Sequence, residues 1–166
     1  MKNVVLIGMP GCGKSTIGVV LAKTMGYRFL DTDIVIQEMQ HRKLQEIMDA
    51  DGVEFLLQAE EEAILSTQCS ETVIATGGSA VFSQKSMNHL KENGVAVYLQ
   101  LPYETVEQRL SNLATRGVAG SGTMTLREIY DMRTPLYSRY ADVVIDCRNK
   151  GIEEIAQEVS DIMQKL

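Results

Sequence analysis

Along this chain, short continuous apolar runs alternate with segments whose apolar residues recur every three to four positions. The runs cover residues 4–7, about 27–30, 73–75, 95–99 and 143–145. They are rich in β-branched residues and lack polar alternation, which predicts strands buried on both faces. Between them, Ile17/Val20/Leu21, Ile34/Met39, Val106/Leu110/Leu113 and Ile152/Ile155/Val159/Ile162 predict helices with one apolar face. Strands alternating with helices predict an α/β fold in three layers: a five-stranded parallel sheet with helices on both faces. The 166 residues are expected to form a single domain over 1–166, long enough to bury a substantial core. No internal repeat, low-complexity segment or linker interrupts the pattern.

The first apolar run leads directly into Gly8-Met9-Pro10-Gly11-Cys12-Gly13-Lys14-Ser15-Thr16, and a helical pattern follows. Strand, G-x-x-x-x-G-K-S, helix is the arrangement a P-loop requires. Glycines let backbone N–H groups curl around a triphosphate, and the helix N-terminus adds its partial positive charge. ATP is therefore expected on Gly11, Cys12, Gly13, Lys14, Ser15 and Thr16. Lys14 would reach the outer phosphates, and the Ser15 hydroxyl is placed for Mg²⁺. Cys12 is expected to serve as a small side chain there.

The formal charge of −6 argues against nucleic acid or an anionic membrane as the main partner. No apolar stretch is long enough to span a bilayer, and residues 4–7 are too short for a signal-peptide core. Cys12, Cys69 and Cys147 show no metal-ligand spacing, so reduced thiols and a cytoplasmic location are expected.

In parallel α/β sheets ligands bind at the carboxyl ends of the strands. After the second run comes Asp31-Thr32-Asp33. One carboxylate could face the Mg²⁺ water shell while the other meets an acceptor hydroxyl and takes its proton. Equally, Asp33 could simply cap the helix that follows. After the third run, Thr76-Gly77-Gly78-Ser79 permits close approach of backbone to a ligand, or forms a tight turn. A glycine-rich stretch begins at Arg116 and lies where a lid would close, about residues 114–124. Arg109 and Arg133 are further candidate cations. His41 and His89 suggest no site, Glu60-Glu61-Glu62 reads as a solvated helix face, and the nine methionines read as core filler.

Taken together, the chain resembles the shikimate kinases, small members of the nucleoside monophosphate kinase-like group of P-loop proteins. The resemblance covers nearly all of it. It is carried by Gly8 to Thr16, Asp31-Thr32-Asp33, Glu46-Ile47-Met48 with Gly52, and Ala75-Thr76-Gly77-Gly78. Gly94-Val95-Ala96-Val97-Tyr98-Leu99, Arg116, Arg133-Thr134-Pro135-Leu136-Tyr137 and Ala141-Asp142-Val143 continue it. It implies catalytic roles for Lys14, Asp33 and Arg116, and Mg²⁺ at Ser15 with Asp31 nearby through water. It also implies shikimate on Asp33, Gly77, Gly78 and Arg133, in a region that includes helices over about 33–66. Arg116 would close over the phosphates, with Arg109 and Arg148 at the adenine.

Three positions depart from the family pattern. Leu56-Leu57 stands where the family carries Phe-Arg, Ser79 where it has a third glycine, and Gly117-Val118-Ala119 follows the lid arginine in place of Pro-Leu-Leu. Leu57 could join Val53, Leu56 and Ile64 in a core stripe, with Arg28 or Arg139 substituting for the missing cation. Three functions stay open: phosphoryl transfer from ATP to shikimate, transfer to another small hydroxylated metabolite such as a sugar acid or hydroxy amino acid, and a nucleotide-binding regulatory module. A monomer is expected, with ATP and a carboxylate-bearing acceptor as its partners.

Overall fold

The computed structural model describes residues 1–111 and 124–166. Its five strands are β1 (Asn3–Ile7), β2 (Arg28–Asp31), β3 (Thr72–Ala75), β4 (Gly94–Gln100) and β5 (Val143–Asp146). All pair in parallel, in the order β2-β3-β1-β4-β5. The five runs read from sequence are these five strands, with ends shifted by one residue. Burial on both faces holds for β1 and β3 throughout and for β4 except its last residue. It fails for β2 and β5, which are half-exposed. These are the sheet edges, where a strand has one neighbour and thinner cover.

The helices are α1 (Lys14–Met25), α2 (Thr32–Gln40), α3 (Leu44–Ser66), α4 (Gln84–Glu92), α5 (Tyr103–Ser111), α6 (Leu126–Tyr140) and α7 (Ile152–Met163). From central β1 the chain crosses through α1 to β2 on one side. From β3 it crosses through α4 to β4 on the other. The connections thus diverge beside the carboxyl end of β1, which opens a crevice there. The main core is built from β1, β3 and β4 with α1, α4, α6 and α7. A smaller core of Ile36, Ile47, Leu56, Ala59 and Ala63 lies under α2 and α3. No helix among the described residues is long and apolar enough to cross a membrane.

Two local features position the site. α3 is broken at Gly52, whose φ of 83° is left-handed, so its two halves point in different directions. α6 starts at a reciprocal cap: Thr125 Oγ accepts from the Glu128 N–H, and the Glu128 carboxylate accepts from the Thr125 N–H. The lid expected over 114–124 falls, Met124 apart, outside the described residues, as do Arg116 and Leu113.

Gly94 sets how tightly α4 turns into β4. A methyl group there would meet the Leu90 carbonyl and come within 2.9 Å of Val5 Cγ2. We predict that Gly94→Ala lowers stability by about 1–3 kcal/mol, the range for overpacking a well-filled core. Urea unfolding should show a lower midpoint with an unchanged slope. An unchanged midpoint would mean that α4 shifts freely.

Candidate active site

The P-loop joins β1 to α1. Gly13, with a φ of 93°, occupies the N-cap of α1, a left-handed position that disfavours any residue with a Cβ. Lys14 is buried, and its Nζ donates to the Gly8 and Met9 carbonyls at 2.8 and 2.9 Å. The ammonium thus sits at the centre of the loop. Cys12 is buried and packs its sulfur 3.6 Å from that ammonium. Arg109, on α5, reaches over the loop and donates to the Gly11 carbonyl at 3.3 Å.

Asp31 ends β2 and faces the P-loop. Its Oδ2 accepts from Ser15 Oγ at 2.7 Å, while its Oδ1 accepts from the Asp33 N–H at 2.9 Å. The cap of α2 is therefore Asp31, not Asp33 as sequence allowed. Asp33 lies in the first turn of α2 with its Oδ1 beside Gly77. The two carboxylates of Asp-x-Asp are turned to different tasks by one register: the first caps a helix and meets Ser15, and the second lies beside Gly77.

The segment Gly77-Gly78-Ser79 follows β3 and is held from several directions. The Gly77 N–H donates to Thr32 Oγ1 at 3.2 Å, and the Gly78 carbonyl accepts from the Tyr137 hydroxyl at 2.6 Å. The Ser79 hydroxyl donates to Glu60 Oε1 at 2.8 Å. A Cβ on Gly78 would lie 2.8 Å from Pro10 Cδ and 2.9 Å from Arg133 Nη1. Glycine here lets the turn approach the P-loop and the arginine at once. Arg133 is 1% exposed, with its guanidinium 5.3 Å from the Phe82 ring centroid. Arg133 and Tyr137 are one turn apart on α6, so the Arg-x-Pro-Leu-Tyr spacing aims both at this turn.

Glu60 overturns an expectation. It is 5% exposed, not solvated, whereas Glu62 is exposed and Glu61 half-buried. Burial pushes its carboxyl up from 4.5 to about 7; the nearby Asp33 charge adds to this, while the Ser79 hydrogen bond, Arg133 and Lys14 oppose it. The signal in the sequence was register: Glu60 shares the inward stripe of Leu56, Ala59 and Ala63. Thr32 and Tyr137 stood inside motifs that the sequence singled out but carried no role of their own there, and Ser79 was noted only as a departure from a third glycine.

Three further arginines are exposed. Arg148 is exposed and clamps Asp146 with two nitrogens at 2.8 and 3.1 Å, holding that carboxyl at about 2. Arg28 is exposed at the start of β2, opposite the crevice, and Arg139 is exposed over Tyr140 at 5.8 Å. Neither stands in for a cation at position 57. Leu57 is half-buried and lines a hollow of about 280 Å³ with Glu60, Ser79 and Phe82.

A parallel sheet in this order, with a glycine-rich loop after the central strand and cations converging on it, defines a P-loop phosphotransferase. Comparison with known proteins narrows the class. The shikimate kinase family profile matches residues 10–164. The chain is 35% identical over 162 residues to the shikimate kinase of Caldanaerobacter subterraneus subsp. tengcongensis, covering 96% of this chain and 94% of that protein. It is 36% identical over 154 residues to that of Thiobacillus denitrificans, covering 90% and 84%. The structure of the Acinetobacter baumannii shikimate kinase in complex with shikimate superposes with a TM-score of 0.89 at 28% identity, covering 99% of this chain and 94% of that one. The chain belongs to the shikimate kinase family, whose members are ATP-dependent phosphotransferases acting on a hydroxyl group.

Two predictions come from this geometry. Lys14→Ala should weaken a non-hydrolysable ATP analogue by roughly 10- to 100-fold in calorimetry, the loss expected for a charge-assisted hydrogen bond; unchanged affinity would remove Lys14 from the phosphates. The second concerns pH. Because folding raises the Glu60 pKa, its contribution to stability is full below about 4.5 and is lost as pH rises through about 7. Glu60→Gln cannot ionise, so the variant should gain stability relative to wild type across that interval. Denaturant midpoints of both proteins at pH 5 and pH 8 check this; a constant difference would place the carboxyl in a wetter environment.

Proposed function

We propose that this chain transfers the γ-phosphoryl group of ATP to the 3-hydroxyl of shikimate, giving shikimate 3-phosphate and ADP. The observation that carries the reading is the buried Arg133 guanidinium at the Gly78 turn, with Asp33 on the other side of that turn and the P-loop packed against it. A carboxylate on the arginine and a hydroxyl on the aspartate define the two ends of one small hydroxy acid. The family and the shikimate-bound relative agree with it.

Phosphoryl transfer asks a protein chiefly for positioning and for cations against the transferred charge. Lys14 and the backbone of residues 11–16 would hold the phosphates. Asp33 would orient the acceptor hydroxyl and accept its proton, within reach of the γ-phosphate across the Pro10–Gly78 contact. Arg116, in the segment not described, would close over the phosphates, with Arg109 and Arg148 on the adenine side. Ser15 and Asp31 suit Mg²⁺: both offer hard oxygens, already 2.7 Å apart. Mg²⁺ keeps several waters and takes phosphate oxygens, so two protein groups suffice. When bound, it neutralises charge on the phosphates.

Leu57 favours a second reading, transfer to another hydroxylated metabolite, because a cation the family places there is absent. A coupled ADP-release assay across shikimate, gluconate, homoserine, threonine and nucleoside monophosphates separates the two. The expected result is turnover with shikimate alone; preference for another compound would sink the first reading. Arg133 carries the acceptor carboxylate, and a bidentate pair is poorly mimicked by lysine. Arg133→Lys should therefore raise the KM for shikimate by about tenfold or more while the KM for ATP stays close to wild type. Equal effects on both would argue that Arg133 supports the fold instead.

A further inference from the structure

Glu60 enters the acceptor pocket from α3 with its carboxyl buried, and its Oε1 accepts from the buried Ser79 hydroxyl at 2.8 Å. Its other oxygen, Oε2, lies against Gly77 of the same turn. A Cβ on Gly77 would lie 2.5 Å from Glu60 Oε2 and 3.1 Å from Asp33 Oδ1, so both carboxyls crowd one face of Gly77. The charged groups facing Glu60 are Asp33 from α2, Arg133 from α6 and Lys14 from α1. Leu57, one turn back on α3, shares the adjoining hollow with Glu60, Ser79 and Phe82, and its side chain offers no hydrogen bond. Glutamate has three rotatable bonds, and a hollow of about 280 Å³ beside it leaves room to swing. The Ser79 hydrogen bond, together with the charges of Arg133 and Lys14, opposes that swing.

We propose that Ser79 is a positioning residue of the acceptor site: its hydroxyl pins Glu60 Oε1 and so holds Oε2 at the Gly77 backbone, where it sets the surroundings of Asp33. A guanidinium on residue 57 would open into the same hollow as Glu60 and offer that carboxyl a second donor. Leu57 and Ser79 are then one coupled departure rather than two. A serine at position 79 makes an apolar residue at 57 tolerable, because the buried carboxyl keeps a donor.

The inference rests on the shikimate reading for its kinetic arm only. In that arm, Ser79→Ala should raise the acceptor KM about tenfold, as for a lost hydrogen bond to a charged group, with the ATP KM unchanged. Leu57→Arg combined with Ser79→Ala should recover most of that loss, since the new guanidinium reaches the same carboxyl. The second arm needs no acceptor. Infrared titration follows the carboxyl band of Glu60, assigned by its disappearance in Glu60→Gln. Ser79→Ala should move its midpoint upward, because the lost donor favoured the ionised form. An unmoved midpoint would overturn the proposal. So would equal changes in the two KM values, or a double variant no better than Ser79→Ala. Failure of the wild type to phosphorylate shikimate would sink the functional reading instead, and the infrared arm would still judge Ser79.

Discussion

The segment Gly77 to Ser79 is the constraint on which the site depends. Thr32 at the start of α2, Tyr137 on α6 and Glu60 on α3 each hold one of its three residues by a hydrogen bond. Pro10 of the P-loop and Arg133 press against the middle one. A buried turn must satisfy its backbone polar groups within the protein. Two of these bonds satisfy backbone groups, the Gly77 N–H and the Gly78 carbonyl, and the third joins two side chains; with the P-loop contact they bring four separate elements to one place at the carboxyl end of β3. The P-loop and the turn after β3 are thereby joined through a few atoms, and a larger side chain at Gly77 or Gly78 would push them apart.

Charge in this acidic protein is concentrated by the same geometry. Arg133 is almost fully buried and Lys14 nearly so. A buried cation is tolerated only with hydrogen bonds and opposite charge nearby. Lys14 donates to the Gly8 and Met9 carbonyls, and Glu60 lies near both cations. Glu60 is in turn crowded by Asp33, which helps raise its pKa towards neutrality. Asp31 differs: occupied by Ser15 and by the cap of α2, it is held in a single orientation.

What the sequence determined by itself was whatever depends on neighbours along the chain. The P-loop was legible because strand, glycine spacing, Lys14 and Ser15 are contiguous, and the five strands because buried parallel strands leave unbroken apolar runs. The order of motifs was enough to identify the family. What the tertiary structure decided was which of several chemically able residues meet. Glu60 looked like part of an acidic helix face, yet packing of α3 buries it in register with Leu56, Ala59 and Ala63. Asp33 could have been a cap until the register of β2 gave that task to Asp31. How Arg148 is held, by the carboxylate of Asp146 two residues before it, was likewise not legible. Ser79 and Glu60 stand 19 positions apart, and no local pattern links them. Their pairing exists only because sheet order brings the end of β3 against α3, and burial there makes one hydroxyl matter to one carboxyl.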